Sequence, residues 1–243
     1  EHVLPDLVSI YEQTRDWQKA ITTAKRWQGV CGQPKHTQMA QYACELAEIT
    51  NREGRHQEAE QYLQEALGYD EHCVRASLML GMWRAKTGET EQAISAYSQV
   101  LRQDAHHIGE VIAPLEALYQ SKGDSEGWRR VLQSISPQKT PAAAHEAMAN
   151  LLHFSSGERA ALDYLLTVVR ERPDWETLHL LLRKSHEAGQ SVDAQTIDRA
   201  LALLEKNLEQ QAHYRCTQCG LQSRTLNWQC PSCKSWGSAW RGS

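Results

Sequence analysis

The sequence predicts an all-α chain of repeated helical hairpins that ends in a small cysteine-rich ribbon. Two observations lead to this prediction. Turn glycines recur at a nearly constant interval, with 34, 35 and 34 residues separating Gly54, Gly88, Gly123 and Gly157. Four of the seven cysteines lie within the last thirty residues. The 243-residue chain is therefore expected to be a repeat array followed by a small separate module.

Each interval between glycines is long enough for two amphipathic helices. Apolar residues recur three and four positions apart, as at Ala59, Leu63, Ala66 and Leu67. A single hairpin of this kind cannot bury its apolar face, so neighbouring hairpins are expected to stack into a solenoid. Large aromatic side chains are expected to pack between these hairpins. They include Trp17, Trp27, Tyr42, Tyr62, Trp83 and Tyr97.

Five hairpins are recognisable, and a sixth pair departs from the pattern. The first hairpin turns at Asp16 and is followed by a longer connection over residues 29–35. Pro173 is expected to close the fifth hairpin, because the residue before a proline avoids helical geometry. The sixth pair, over residues 175–188 and 192–211, is expected to cap the stack.

Charge is distributed unevenly along the chain. Residues 213–243 contain four basic side chains and no acidic one. The formal net charge of -4 therefore separates into +4 in this tail and -8 in the preceding residues. The predicted domains are a repeat solenoid over residues 1–212 and a ribbon over residues 213–243.

The clustered cysteines have the spacing of a metal site. They follow the pattern Cys-x2-Cys-x10-Cys-x2-Cys, which comprises Cys216, Cys219, Cys230 and Cys233. Two residues between paired cysteines let the backbone turn around an ion, and four thiolates suit tetrahedral coordination. Zinc is the first candidate, and iron in a rubredoxin-like site is the alternative. A closed four-thiolate site has no open coordination position, so the ion is expected to be structural.

The ribbon has more large apolar side chains than about thirty residues can bury. These are Tyr214, Leu226, Trp228, Trp236 and Trp240. They are expected to pack partly against the helices, which would attach the ribbon to the repeats.

Two further pairs of residues lie close together or carry reactive groups, but neither is expected to form a site. Cys44 and Cys73 lie on amphipathic segments and are expected to be small buried side chains without a nucleophilic role. The adjacent His106 and His107 are expected to lie in a solvated connector between hairpins.

The sequence lacks the common catalytic motifs. It contains no phosphate-binding loop, dinucleotide fingerprint, His-Glu-x-x-His or Gly-x-Ser-x-Gly. We therefore expect no enzymatic activity and no catalytic or cofactor-binding residues. No run of 18 apolar residues could span a bilayer. Because the chain begins with Glu1, we expect it to be a fragment of a longer protein.

The repeats and the ribbon both resemble known families. Leu80-Gly81, Gly88, Ala93 and Tyr97 resemble the tetratricopeptide pattern. Such repeats followed by Tyr214-Arg-Cys-x-x-Cys-Gly and Trp228-x-Cys-Pro-Ser-Cys-x-x-Trp resemble the lipopolysaccharide assembly protein B family, LapB. The ribbon alone is also similar to the zinc module of the DNA-repair ATPase RadA, but the phosphate loop which that enzyme needs is missing.

The resemblance to LapB implies an adaptor with protein partners. In this family a cytoplasmic domain, anchored to the inner membrane by an N-terminal helix that is absent here, brings the LpxC deacetylase to the FtsH protease. Other inner-membrane lipopolysaccharide factors are further expected partners. Cys216, Cys219, Cys230 and Cys233 match the metal ligands of the family.

A nucleic-acid-binding zinc-ribbon repeat protein is the alternative function. Nucleic-acid binding is not expected, because four basic charges interleaved with tryptophans make a small electrostatic footprint beside an acidic body.

Overall fold

The computed structural model describes residues 3–32, 34–136, 140–172, 174–189, 201–202, 204–205 and 213–241. Within these residues, the named elements are eleven α-helices, one 3-10 helix at Ala105–His107 and three short strands. The helices are α1 Val3–Thr14, α2 Trp17–Cys31, α3 His36–Arg52, α4 His56–Tyr69, α5 Val74–Lys86, α6 Thr90–Gln103, α7 Ile108–Lys122, α8 Ser125–Ser134, α9 Ala142–Ser156, α10 Glu158–Glu171 and α11 Trp175–Glu187. The strands are β1 Tyr214–Cys216, β2 Gln222–Ser223 and β3 Ala239–Arg241. The predicted all-α class with a small terminal ribbon is confirmed.

The chain divides into two compact units. The first unit contains residues 1–105 together with 214–241, and the second contains residues 106–213. The ribbon therefore belongs to the same unit as the first three hairpins.

The predicted turns join the paired helices. Gly54 and Gly88 both have φ of +81°, and they connect α3 to α4 and α5 to α6. This left-handed conformation favours glycine because it has no β-carbon. The first hairpin uses Arg15 instead, with φ of +56°, and Asp16 then caps α2 by accepting from the Lys19 amide. The glycine period therefore marks real helix ends.

Small side chains let the helices of the first unit approach closely. Ala20, Ala40 and Ala47 are fully buried. At Gly81 of α5, a β-carbon would lie 2.6 Å from the ring of Tyr97 on α6. No real β-carbon tolerates such a contact, so Gly81 is required for this hairpin to close around the tyrosine.

A buried arginine joins the second and third hairpins. The side chain of Arg75, at the start of α5, is 4% exposed. Its Nη2 lies 2.8 Å from a carboxylate oxygen of Glu45 and 2.9 Å from one of Glu48, both on α3. These charge-assisted hydrogen bonds compensate for the burial of the guanidinium group.

The second unit repeats the same construction. Gly123 and Gly157 join α7 to α8 and α9 to α10, with φ of +68° and +89°. Leu165 of α10 and Leu180 of α11 lie in its apolar core. The first helix of the predicted sixth pair is confirmed as α11. The second, over residues 192–211, lies outside the described residues except at 201–202 and 204–205.

The expectation for the His106-His107 connector is wrong at His107. Residues Ala105–His107 form a 3-10 turn that leads directly into α7, and His107 is only 4% exposed. The last residue of this three-residue turn is the N-cap of α7. That position faces inward, so the residue is not solvated.

Among the described helices, none combines the length and the apolar character needed to cross a membrane.

Candidate metal centre

The ribbon is a small antiparallel sheet with two cysteine-bearing turns. Its strand order is β2-β1-β3, and Tyr214 of β1 pairs with Ser223 on one side and Arg241 on the other. The first turn connects β1 to β2. The second turn precedes β3 and is closed by a bridge between Gln229 and Trp236. The sheet thus brings two sequence-distant turns to one end of the ribbon.

The first turn is closed by backbone hydrogen bonds around Cys216. The Cys216 amide donates to the Leu221 carbonyl at 2.8 Å, and the Gly220 amide donates to the Cys216 carbonyl at 2.9 Å. Gly220 has φ of +76°, a left-handed conformation that favours glycine at this turn.

The second turn has the same backbone hydrogen bonds as the first, but a lysine takes the place of the glycine. The Cys230 amide donates to the Ser235 carbonyl, and the Lys234 amide donates to the Cys230 carbonyl, both at 2.9 Å. Lys234 occupies the position equivalent to Gly220 and has φ of +60°. Its Nζ donates to the Pro231 carbonyl at 2.8 Å. A lysine does not by itself predict a left-handed turn, and the only sequence signal for this role is that Lys234 follows a Cys-x-x-Cys pair as Gly220 does.

The four sulfur atoms form a compact set. All of them lie within 4.8 Å of one another. The Sγ atoms of Cys216 and Cys233 are 3.7 Å apart, as are those of Cys219 and Cys230. A tetrahedral ion with thiolate ligands at ~2.3 Å requires sulfur separations of about 3.8 Å. The spacing of the sulfurs therefore fits one metal ion held by four thiolates.

Hydrogen bonds around the sulfurs favour thiolates at two positions. The Ser238 hydroxyl, 3.2 Å from the sulfur of Cys216, lowers the pKa of this thiol to about 6, and nearby backbone amides add to the effect. The hydroxyl and amide of Ser235 lower the pKa of Cys233. Such outer-shell donors orient and tune metal ligands. No sequence motif marks either serine, so neither could be predicted as part of the site.

Cys219 behaves differently from Cys216. The amide of Leu221 stabilises its thiolate, but burial and the neighbouring thiols outweigh that amide and raise its pKa to about 11. A bound cation would favour the thiolate form at all four positions. Within the described parts of the chain, this quartet is the only group of three or more His, Cys, Asp or Glu side chains able to converge on one ion.

The ribbon packs on the first hairpins through Trp236. Its ring meets those of Trp17 and Tyr42 edge to face, with centroids 6.1 and 5.9 Å away. Trp17 and Tyr42 themselves stack with centroids 5.8 Å apart. The expected packing of ribbon aromatics on the helices is confirmed at Trp236, whereas Trp240 is 43% exposed.

Polar contacts complete this docking surface. The Trp236 indole Nε1 donates to the Glu12 carboxylate at 3.0 Å, and the Tyr42 hydroxyl donates to the same oxygen. A β-carbon added at Gly237 would lie 3.6 Å from Thr37 and 3.9 Å from the amide nitrogen of Gln41. The second cysteine turn therefore lies directly against α1 and α3.

Two of the three cysteines outside the ribbon are buried. Cys44 and Cys73 are 0% and 3% exposed, which confirms the prediction that they are buried, whereas Cys31 is exposed.

Family models match both parts of the chain. A model described as "Rubredoxin metal binding domain" matches residues 214–238 and includes all four clustered cysteines. A model described as "Tetratricopeptide repeat" matches residues 51–113.

Curated relatives match almost the whole chain. Lipopolysaccharide assembly protein B of Escherichia coli strain K12 is 27% identical over 238 residues, which cover 97% of this chain and 61% of that protein. The protein of the same name from Haemophilus influenzae is 29% identical over 98% of this chain and 60% of its own length. The resemblance found in the sequence is confirmed, and the chain spans about three fifths of the length of these relatives.

Among solved structures, a tetratricopeptide repeat protein from Parabacteroides merdae is similar to this chain. It is 17% identical, with a TM-score of 0.45, over 83% of this chain and 78% of that one.

Proposed function

We propose that this chain is a protein-binding adaptor in lipopolysaccharide assembly and performs no reaction itself. Its function would be to bring an LpxC-like deacetylase to an FtsH-like protease, so that the amount of deacetylase is controlled by proteolysis. The observation that carries this proposal is the combination of helical repeats with a docked cysteine ribbon, in a chain of which 97% is similar to lipopolysaccharide assembly protein B.

We also propose that Cys216, Cys219, Cys230 and Cys233 hold one structural metal ion. Zinc is the first candidate and iron the second, since both accept four thiolates. The 3.7 Å sulfur separations and the serine donors support this assignment. The ion would fix the two cysteine turns and, with them, the position of Trp236.

The adaptor would work at the cytoplasmic face of the bacterial inner membrane, together with other lipopolysaccharide factors there. Residues 1–212 would supply the repeats and residues 213–243 the ribbon. The repeats and the ribbon would bind partners together, because Trp236 of the ribbon packs against the apolar core of the first hairpins.

A reconstitution with purified components tests the adaptor function. The deacetylase and the protease are incubated with the chain, and deacetylase degradation is followed on gels. We expect faster degradation with the chain present and no effect after chelation. Trp236→Ala is expected to reduce the effect more than Trp240→Ala, a matched change on the same ribbon. Unchanged degradation, together with no binding of either protein in a pull-down, would refute the proposal.

The same preparation tests nucleic-acid binding as the competing function. Arg215, Arg224 and Lys234 are exposed on the ribbon. If they bound nucleic acid, labelled DNA or RNA would be retained at low salt and released steeply as salt rises. We expect no such retention.

A further inference from the structure

A pair of cysteines lies in the core between the second and third hairpins. Cys44 is on α3, and Cys73 is the N-cap residue of α5. Their sulfur atoms are 3.9 Å apart, and both side chains are buried. We propose that they form a peroxide-oxidisable dithiol, which closes to a disulfide joining α3 to the start of α5 and is shielded by the docked ribbon.

The surroundings of Cys73 favour a thiolate at that position. The side-chain amide of Gln41 donates to its sulfur at 3.8 Å. Cys73 is also the residue at the N-terminus of α5, where the helix dipole favours negative charge. The Gln41 amide and the Cys44 sulfur therefore both lie within hydrogen-bonding distance of the Cys73 sulfur.

The two thiols are chemically unequal. A hydrogen bond from Cys44 lowers the pKa of Cys73, and the amide of Ala76 adds to this effect. Burial raises the pKa of Cys44 well above its usual range. Cys73 is therefore the attacking sulfur, and Cys44 is the resolving one.

The reaction consumes one hydroperoxide for each disulfide formed. The Cys73 thiolate attacks a peroxide oxygen, the O–O bond breaks, and a sulfenic acid forms as hydroxide leaves and takes up a proton. The Cys44 sulfur then attacks the Cys73 sulfur, loses its proton, and displaces the sulfenic oxygen as water. Both sulfurs are oxidised, and hydrogen peroxide is reduced to two water molecules.

The ribbon controls access to this pair. Gln41 is 3% exposed and its side-chain amide nitrogen contacts Cys73, and a β-carbon added at ribbon residue Gly237 would lie 3.9 Å from the same nitrogen. Peroxide reaches Cys73 only when this layer opens. Loosening the ribbon should therefore increase the rate of oxidation without changing the thiols themselves.

Peptide mapping of the intact chain tests the proposal. The protein is treated with hydrogen peroxide, its remaining thiols are alkylated, and it is digested with trypsin. We expect a reducible linked product of the peptides 36–52 and 56–75, lighter by two hydrogen atoms than their sum. Failure to find it at a peroxide dose that oxidises the exposed Cys31 would overturn the proposal.

Single variants separate the two roles. In Cys44→Ser, dimedone should trap a sulfenic acid at Cys73, whereas in Cys73→Ser it should leave Cys44 unlabelled. Labelling of Cys44 but not Cys73 would overturn the order of attack. Trp236→Ala should form the linked product at least about threefold faster than wild type, because its ribbon is less firmly docked. An equal rate, with helical content preserved, would overturn the shielding.

Discussion

Trp236 and Glu12 lie 224 residues apart in the chain and are joined by a hydrogen bond of 3.0 Å from the indole nitrogen to the carboxylate. The Tyr42 hydroxyl donates to the same carboxylate oxygen. One carboxylate on α1 therefore connects the ribbon to α1 and α3. This contact lies three residues after Cys233, so the fold of the cysteine turn and the docking of the ribbon are expected to depend on each other.

Replacement of Trp236 tests how much this contact stabilises the ribbon. Trp236→Ala removes a packed aromatic ring and leaves the Glu12 carboxylate with one donor fewer. We expect a loss of about 2 to 4 kcal/mol in the free energy of unfolding. Urea unfolding followed by far-ultraviolet circular dichroism measures it.

The neighbouring Trp240 provides the control for this experiment. It is 43% exposed, so Trp240→Ala is expected to cost about 1 kcal/mol or less. Equal losses in the two variants would mean that docking through Trp236 is not a major source of stability.

Removal of the metal tests the coupling between the cysteine turns and docking. Structural zinc contributes roughly 10 to 16 kcal/mol of apparent binding free energy in small zinc peptides, so a ribbon of this size should not remain folded without its ion. Chelation is expected to make the chain around residues 213–243 sensitive to protease while α1 to α6 keep their helical content. Limited proteolysis and circular dichroism measure the two effects.

Single cysteine variants distinguish the loss of a metal ligand from the loss of a cysteine elsewhere in the chain. Cys216→Ser should lower the metal-to-protein ratio and expose the ribbon to protease, because it removes a buried sulfur from the quartet. Cys31→Ser changes an exposed cysteine elsewhere and should alter neither result. Retention of one metal ion per chain by Cys216→Ser would contradict the four-thiolate assignment.

The second unit should lose stability as the solution is acidified. Burial lowers the pKa of His145, whose Nδ1 lies 2.8 Å from the hydroxyl of Tyr164. The unfolded chain therefore binds a proton at a higher pH than the folded chain does. The contribution of His145 to stability is complete at pH values above the pKa that His145 has in the unfolded chain. It is lost as the pH falls from that pKa towards the lower pKa that His145 has in the folded chain. Thermal unfolding between pH 7.5 and 5 should show the decline, with the pH range chosen around the ordinary histidine pKa of about 6.5.

Two histidine variants on α9 isolate this effect. His145→Gln should reduce the pH dependence and cost about 1 kcal/mol at neutral pH through the altered contact with Tyr164. His153 is exposed near the end of the same helix, so His153→Gln should leave the pH dependence as in wild type. The same dependence in all variants would exclude His145 as its source.

Local patterns predicted much of this structure. The turn glycines identified helix ends because few residues other than glycine adopt the left-handed conformation found at Gly54 and Gly88. The cysteine spacing located all four sulfurs because two-residue turns and tetrahedral coordination constrain one another. Both signals depend only on residues close together in sequence.

Long-range contacts could not be predicted in the same way. An excess of apolar side chains on the ribbon indicated that it docks, but no pattern identified Glu12 or Tyr42 as the partners of Trp236. The burial of His107 likewise depends on how its turn packs. The 3.9 Å approach of Cys44 and Cys73 brings together residues from different hairpins, and the period of the repeats does not specify it.

Two glycine variants should change stability in opposite directions. Gly220 has φ of +76° in the first cysteine turn, and an alanine there would be strained even though its β-carbon would meet nothing closer than 3.8 Å. We expect Gly220→Ala to cost about 1 to 2 kcal/mol and to weaken metal retention. Gly29 lies within α2, and a β-carbon there would meet no atom within 4 Å. Gly29→Ala should therefore stabilise the chain by up to about 1 kcal/mol through helix propensity. Chemical denaturation of both variants, with metal content measured in parallel, checks the signs; stabilisation by Gly220→Ala would contradict the turn geometry.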